Sequence, residues 1–358
     1  MSLQQFRASG FRCLEPTLLQ PDSRLNIITG PNASGKTSLL EAMFYLGRGR
    51  SFRNAGNREL IRTDTSGFTL FGETVSRETT HKLGVEVAIG ERKVRVDGEN
   101  GSGGDLARIL PVQAIDPEVH ELVQGGPEYR RRFLDWGVFH VEHDFLDVWR
   151  RFQKALRQRN AALRQKEPDS QVQVWDDELV EQGERVDQCR STFIETYLPL
   201  FDDIIGEKVP FDAICNYKRG WSSKTNLREA LAESWARDRS YGSTQVGPHR
   251  ADLQIQVQDR RARHRVSRGQ QKLLAAAMVI TQVRHVANLT DNELLLLVDD
   301  PAAELDRENR ERLFQLLQDM PAQMFVTALE AGDLPPSEAL SETSKSFHVE
   351  HGKVSALV

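Results

Sequence analysis

The sequence predicts an α/β protein that contains an inserted helical lobe, and three observations predict this fold class. The apolar run 25–29 leads through a glycine-containing loop into a helix-like stretch. A second apolar run, 294–298, ends in two carboxylates. Between them lies a long stretch rich in Arg, Gln, Glu and Leu at helical spacing. We therefore expect the strands on either side of this stretch to close into one domain with mixed and antiparallel sheets.

Element spacing divides the chain into three segments. Residues 1–115 alternate short β-type runs with turns, which predicts an antiparallel sheet beside the strand 25–29. Residues 116–242 are expected to form the helical lobe, and residues 243–358 return to strands and helices. The local predictions are an antiparallel helical pair at 145–166 and 174–197, a hairpin tip or mobile loop at 98–104, strands at 251–258, 294–298 and 324–327, and helices at about 269–288 and 307–319.

Composition bounds the class of protein. The chain has 358 residues, of which 39% are hydrophobic and 28% charged, as expected for a globular protein of two or three domains. No apolar run approaches the ~18 to 20 residues of a membrane span, and the first residues lack a secretory pattern, so we expect a cytoplasmic protein. Cys13, Cys189 and Cys215 form no CxxC or Cys/His cluster, which indicates neither a disulfide framework nor zinc. The net charge of -5 argues against indiscriminate binding to polyanions.

The segment Gly-Pro-Asn-Ala-Ser-Gly-Lys-Thr at 30–37 predicts a phosphate-binding loop. Glycines allow successive backbone N–H groups to surround an anion at a helix N-terminus, where the helix dipole attracts negative charge. Lys36 would neutralise the outer phosphates, and Thr37 would ligate magnesium. A purely structural glycine turn is the alternative. The predicted nucleotide contacts in this segment are Gly30, Pro31, Asn32, Ala33, Ser34, Gly35, Lys36, Thr37 and Ser38.

The two carboxylates after the run 294–298 predict catalytic residues at the carboxyl edge of a sheet. An apolar strand of an α/β sheet places the residues that follow it in the crevice where such folds bind ligands. Asp299 would hold magnesium through water, and Asp300 would orient the attacking water. A buried strand that ends in solvated carboxylates is the structural alternative. No Asn-Lys-x-Asp element of a GTPase is present, while a kinase or small-molecule NTPase fits these two motifs alone.

The segment Ser267 to Gln271 opens a helix just before the acidic strand. A small hydroxyl, a glycine and a helix start make a second anion site, for which we single out Ser267, Gly269 and Gln270. One nucleotide does not need two phosphate sites in one chain. If the second site completes the first site of another copy, the nucleotide joins two subunits. The alternative is an ordinary serine-capped helix.

Together these motifs resemble the Walker A (30–37), signature (267–271) and Walker B (299–300) motifs and the D-loop (303–306) of ABC-type ATPases, in the SMC-like group of chromosome and repair proteins. Within that group the match is close to a bacterial repair family and extends over the whole chain. The further segments that show it are Phe11 to Leu14, Gly47 to Arg53, Gly125 to Trp136 and Gly247 to Leu253.

The resemblance implies an ATP-dependent DNA-binding protein of recombinational repair and replication. Such a protein dimerises on ATP, clamps DNA at gaps or stalled forks, helps a recombinase to load, and uses slow hydrolysis as its release switch. The implied activity is a weak, DNA-stimulated ATPase with ATP and Mg²⁺ as ligands. The implied partners are double-stranded DNA, single/double-strand junctions, RecR- and RecO-like mediator proteins and a second copy of the chain, with no membrane. The alternatives are an ATPase switch whose helical lobe binds only protein partners, and a monomeric phosphotransferase.

Matching by position assigns further roles and reveals departures from the family pattern. Gln113 matches the Q-loop glutamine, with a catalytic and metal-sensing role. Asp300 is one methylene shorter than the usual glutamate, so we expect slow turnover. Thr327 stands where the switch histidine is usual and cannot carry a proton charge at neutral pH. Ala303 replaces the serine frequent in the D-loop. These changes favour a switch over a fast motor.

Basic residues suggest a DNA surface. From 150 to 166 seven of them occur without an intervening acid, and a second group follows the first helix. A solvated helix face is the alternative. No module that reads bases is recognisable, so binding would follow shape and backbone. The candidate DNA contacts are Arg48, Arg50, Arg53, Arg150, Arg151, Lys154 and Arg157, while His249 and the arginines between 260 and 268 receive no role.

Overall fold

The structure is a computed structural model that describes residues 2–76, 79–301, 305–318, 320–336 and 343–357. Packing divides the chain into two compact units. The first unit consists of Met1–His120 and Ser267–Val358, and the second of Glu121–Val266. None of the helices in these described ranges has the length and apolarity that crossing a bilayer requires.

The first unit begins with β1 (Ser2–Ser9), β2 (Thr17–Leu19), β3 (Leu25–Thr29), α1 (Lys36–Arg48), α2 (Asn57–Leu60), β4 (Gly67–Ser76), β5 (Thr79–Ala88), β6 (Glu91–Val96), β7 (Glu99–Asn100), α3 (Gly103–Ile109) and β8 (Val112–Ile115). The second unit contains α4 (Glu121–Gln124), α5 (Pro127–Val141), α6 (Phe145–Arg164), α7 (Asp169–Gln173), α8 (Asp176–Lys208), β9 (Ile214–Lys218), α9 (Leu227–Tyr241), β10 (Asp252–Val257) and β11 (Arg260–Arg261). The first unit resumes with α10 (Arg268–Thr290), β12 (Leu294–Val298), α11 (Arg307–Leu317), β13 (Ala322–Ala328), β14 (Ser344–Glu350) and β15 (Lys353–Leu357).

A six-stranded, mostly parallel sheet is the framework of the first unit. Its strand order is β15-β14-β3-β13-β12-β8, and only β15 runs antiparallel to its neighbour. All residues of β3, β12 and β13 are buried, as expected for parallel strands in the interior of a sheet, although Asn26 and Thr29 of β3 and Gln323 and Thr327 of β13 are polar. The carboxyl ends of β3, β12, β13 and β8 therefore lie at one edge, where the sequence placed the acids that follow β12.

The predicted antiparallel sheet is also present in the first unit. Its order is β2-β1-β4-β5-β6-β7. Helix α1 shares one hydrophobic core with both sheets, in which Phe68 makes edge-to-face contacts with Phe11 at 5.0 Å and Tyr45 at 5.2 Å. The segment 98–104 is only partly the predicted hairpin tip. It holds the turn into β7 and then the start of α3, where Ser102 caps the helix.

The helices of the second unit follow the predicted pair, with α6 packed against α8. The segment after residue 242 departs from the prediction, which placed it in the ATPase domain. Strand β10 pairs antiparallel with β9, from Asp252 opposite Lys218 to Gln256 opposite Ile214. This pairing places residues up to 266 in the second unit. The boundaries along the chain therefore fall at 120–121 and 266–267 rather than at 115 and 242.

Buried ion pairs hold the second unit together. Arg130 contacts Asp252 at 2.7 Å and Arg190 contacts Asp135 at 2.8 Å, which joins the motif 125–136 to the segment around Asp252 and to α8. Arg159, with no exposed side-chain surface, bonds Asp238 at 2.7 Å. Arg159 therefore belongs to the core of the unit, although its basic neighbours along α6 are exposed.

His249 has a packing role in the same unit. Its Nε2 lies 2.9 Å from the carbonyl oxygen of Thr244. Burial lowers the pKa of His249 to about 4, and the hydrogen bond to Thr244 opposes that shift. The ring is therefore neutral at pH 7 and stabilises the turn that precedes β10.

Candidate nucleotide-binding site

The loop between β3 and α1 has the backbone geometry of a phosphate-binding loop. Gly30 and Gly35 have φ angles of 149° and 116°, and Ala33 has a φ of 60°. A Cβ atom at Gly30 would lie 2.1 Å from the carbonyl oxygen of Val349, so only glycine fits there. Helix α1 begins at Lys36, and within the described residues no side chain caps its start. Its first amides are thus suited to an anion.

Lys36 lies between this loop and the acidic end of β12. Its Nζ donates to the carbonyl oxygens of Gly30 at 2.6 Å and Pro31 at 3.0 Å. Burial lowers the pKa of Lys36, and the charges of Asp300 and Asp299 oppose this shift. The negative charges of both carboxylates therefore act on the Lys36 side chain.

Asp299 is the buried centre of the site, with 6% exposure. Its Oδ1 accepts hydrogen bonds from Thr327 Oγ1 at 2.8 Å and Thr37 Oγ1 at 3.2 Å. Burial raises the pKa of Asp299, while the two hydroxyl groups lower it. Hydroxyl and carboxylate oxygens are the hard ligands that Mg²⁺ prefers, so Thr37 and Asp299 fit that ion.

Asp300 occupies different surroundings from those of Asp299. It is half-buried and adopts a left-handed backbone conformation with a φ of 47°, which aspartate tolerates better than most residues. Its backbone N–H donates to Thr327 Oγ1 at 2.8 Å. The turn thus ends the β-ladder immediately after Asp299.

The structure does not bring Gln113 to this group. Gln113 lies inside β8, opposite Leu296, and its Nε2 donates to Gln282 Oε1 of α10 at 2.7 Å. Because each strand residue advances the chain by ~3.3 Å, Gln113 is well short of the sheet edge where Asp299 lies. The predicted catalytic and metal roles of Gln113 find no support in this placement.

Asp116, which sequence reasoning missed, follows β8 at the same edge of the sheet as Asp299. Burial raises its pKa to about 7, assisted by the negative charges of Asp299 and Glu118, and Lys272 of α10 opposes this. A signal was present in the sequence, because Ile115-Asp116 repeats the pattern of Val298-Asp299, an apolar strand that ends in an acid.

The signature segment forms the exposed start of α10. Ser267 caps this helix, with its Oγ accepting from the N–H of Gln270 at 3.3 Å, and Gln270 Oε1 accepts from the N–H of Ser267 at 2.9 Å. Ser267 is exposed and Gly269 half-buried, so another molecule can reach this helix start. In the D-loop, Ala303 lies outside the described residues, and Asp306 caps α11 through Asn309.

The candidate DNA contacts fall into two classes. Arg150, Arg151, Lys154 and Arg157 are exposed on one face of α6, and Arg50 and Arg53 are exposed after α1. Arg48 is turned inwards. Its guanidinium lies 5.5 Å from the ring centre of Phe44 and donates to the carbonyl oxygen of Val112 at 3.4 Å. Because these contacts pack the end of α1, we remove Arg48 from the DNA surface.

Comparison with known proteins defines the class of protein to which the chain belongs. The family model described as RecF/RecN/SMC N terminal domain matches residues 2–353. The chain therefore belongs to the RecF/RecN/SMC family, with its ABC-type ATPase fold. An Smc head domain from Pyrococcus furiosus shares the fold at a TM-score of 0.59 and 14% identity, over 99% of this chain and 96% of that one.

Within that family the chain is a member of the RecF group. It is 41% identical to the DNA replication and repair protein RecF of Pseudomonas aeruginosa strain LESB58, over 99% of this chain and 98% of the relative. It is 39% identical to RecF of Shewanella piezotolerans over 100% of both chains. A structure described as the recombination mediator protein RecF-ATP in the RecFOR pathway has a TM-score of 0.88 and 25% identity, over 100% of this chain and 98% of that one.

Proposed function

We propose that this protein is an ATP-dependent DNA-binding protein of recombinational repair and replication. The observation that supports this most strongly is the nucleotide site itself. The loop 30–37, Lys36 and the contact of Thr37 with Asp299 lie in one unit, at the carboxyl edge of its parallel sheet. The ATP-bound RecF structure, similar over the whole chain, supports ATP as the ligand.

Each residue of the site has a distinct part in the proposed reaction. The loop amides and Lys36 hold the phosphates, and Thr37 and Asp299 hold Mg²⁺, which neutralises phosphate charge. Asp300 orients the water that attacks the terminal phosphate. Its side chain is one methylene shorter than glutamate, so the water is held less favourably and turnover is slow. Hydrolysis then serves as a release switch.

We propose a dimer because the start of α10 is exposed. Ser267 and Gly269 present a second set of helix N-terminal amides. In a second copy these amides would contact the terminal phosphate bound at Lys36 of the first. ATP would then hold two copies together, and loss of that phosphate would release them.

Sedimentation of mixed variants tests the shared site. Lys36→Met and Ser267→Arg should each abolish the dimer that a non-hydrolysable ATP analogue with Mg²⁺ induces in the unchanged protein. Mixing the two variants should restore part of the dimer, because each mixed pair contains one complete site. The control is Ser222→Arg, at an exposed position in the second unit. An ATP-induced dimer of Lys36→Met alone would contradict the proposal.

The DNA part of the proposal depends on the basic face of α6 and on Arg50 and Arg53. We propose that the dimer closes on duplex DNA at gaps or strand junctions and there meets RecR- and RecO-like mediators, with DNA stimulating the weak ATPase. If the protein gripped only protein partners, it would show no salt-dependent affinity for DNA. If the four exposed cations of α6 alone each neutralise one phosphate, affinity should fall by roughly 10²-fold between about 50 and about 200 mM salt. Unchanged ATP-dependent retention on DNA over that range would contradict phosphate-led contacts, and a lack of any affinity for DNA would favour the protein-only alternative.

A further inference from the structure

Thr327 stands where the switch histidine is usual, but its hydroxyl carries no charge and must act in another way. Thr327 lies in β13, which pairs on one side with β3 and on the other with β12, and its side chain is fully buried. A buried hydroxyl requires hydrogen-bond partners. Both partners of Thr327 belong to the acidic end of β12.

The hydroxyl of Thr327 connects the two neighbouring aspartates. It donates its single proton to Asp299 Oδ1 at 2.8 Å, because an ionised carboxylate can only accept. Its lone pair accepts the backbone N–H of Asp300 at 2.8 Å. The hydroxyl oxygen of Thr327 therefore fixes both the side chain of Asp299 and the main chain of Asp300.

The main-chain contact matters because the ladder ends here. Asp299 still donates its N–H to the carbonyl oxygen of Ile115 at 2.9 Å. Asp300 has turned into the left-handed region, with a φ of 47°, and Thr327 supplies the partner for its N–H. Without the hydroxyl, this N–H and the oxygen of Asp299 would each lose a hydrogen bond.

We propose that Thr327 is a positioning residue that holds the carboxylate of Asp299 and the turn at Asp300 in a fixed relation. The inference rests on the proposed ATPase function. In that reaction Asp299 faces the metal and Asp300 faces water, so their relative placement decides whether the water is aligned. Thr327 touches neither nucleotide nor water in this role, and it acts through the two aspartates.

The test compares Thr327→Val, which keeps the shape and removes the hydroxyl, with Thr327→Ser, which keeps the hydroxyl. The first readout is hydrogen exchange at the Asp300 amide in the nucleotide-free protein, which is easily isolated because Pro301 has no N–H. We expect exchange to be roughly tenfold faster in Thr327→Val and close to the unchanged protein in Thr327→Ser. The second readout is ATP turnover, where we expect kcat to fall roughly tenfold while KM changes little.

Thr74→Val is the matched control, since Thr74 is a fully buried threonine of β4 whose Oγ1 has no hydrogen-bond partner among the described residues. It should leave both readouts unchanged. If Thr327→Val does not fold, Thr327→Ala is compared with Thr327→Ser instead. Unchanged exchange at Asp300 on loss of the hydroxyl would overturn the inference. If the unchanged protein showed no ATP turnover, the proposed function would fail, and the exchange measurement would still decide the role of Thr327.

Discussion

At the scale of single residues, the two aspartates after β12 have opposite surroundings. Asp299 is buried and accepts two hydroxyl groups through one oxygen. Asp300 is half-buried and left-handed. A carboxylate enclosed by hydroxyls suits a metal ion, and one that reaches solvent suits a water molecule. The division of roles proposed from the sequence is therefore consistent with burial and hydrogen bonding.

Asp300→Asn tests the water-orienting role. The amide keeps the size of the side chain but is a much weaker base, so we expect ATP-induced dimerisation to persist while phosphate release slows by roughly 10²-fold or more. Sedimentation and a phosphate-release assay measure the two effects separately. Asp212→Asn, at an exposed position of the second unit, is the control. Normal turnover in Asp300→Asn would remove this residue from the reaction.

Asp116→Asn tests the electrostatics of the same edge. The pKa of Asp116 is raised to about 7, so between about pH 4 and about pH 7 the folded protein binds more protons here than the unfolded chain. Stability associated with this group is present at low pH and falls as pH rises through that window. Without nucleotide and Mg²⁺, Asp116→Asn should therefore have a higher Tm than the unchanged protein at pH 8, with the difference shrinking toward pH 4.5. A Tm difference independent of pH would contradict the burial effect.

Residue positions were predictable from sequence only where local chain geometry determines them. The loop 30–37 and the pair Asp299-Asp300 were found because a strand end and a helix start fix their positions. The roles predicted for Gln113 find no support in its position, because matching by position does not show where a strand ends, and β8 continues to Ile115. The inward turn of Arg48 onto Phe44 depends on tertiary packing, which charge counting does not detect.

At the scale of elements, the two faces of helix α6 differ: one packs inside the unit, and the other is the proposed DNA surface. One face is buried and contains Arg159 within ion pairs, while the opposite face presents a row of cations, Arg150, Arg151, Lys154 and Arg157. Exposed cations in a row attract phosphates and release counterions. The row was visible in the sequence, and the structure distinguishes its exposed members from the buried one.

Neutralising this row tests its role. The triple variant Arg151, Lys154 and Arg157→Gln should bind duplex DNA more weakly and reduce the slope of log affinity against log salt by up to about 3. Fluorescence anisotropy over a salt series measures both. The charge-matched control replaces Lys224, Arg228 and Arg237 of the same unit, all exposed, by Gln. An equal effect of the control would show that net charge, and not this face of α6, determines binding.

At the scale of the whole molecule, the chain leaves the first unit and returns to it. Periodicity in the sequence predicted this insertion, but its second boundary depended on the pairing of β10 with β9. Those strands are far apart along the chain, and neither composition nor local pattern records which strand a given strand will pair with. The prediction therefore succeeded for the elements and missed the place where the inserted unit ends.

Because the nucleotide site lies in the first unit, we expect nucleotide to slow hydrogen exchange in that unit and not in the second. A ligand present at about 100 times its Kd stabilises the unit that binds it, and amides of that unit that exchange only by its unfolding should slow roughly 100-fold. We expect hydrogen exchange with an ATP analogue and Mg²⁺ to show this in β3, α1 and β12, and to leave α8 unchanged. Equal slowing in α8 would show that the two units unfold as one.

The order of strands in the parallel sheet has a consequence for synthesis on the ribosome. Strand β3, which leads into the phosphate loop, is flanked by β13 and β14, both from the last part of the chain. The loop itself is braced by the N–H of Gly352, which donates to the carbonyl oxygen of Ser34 at 2.8 Å. A nascent chain thus makes its lysine early but lacks both neighbours of the strand before it until translation is nearly complete. If ATP binding requires this sheet, we expect that unfinished chains do not bind ATP.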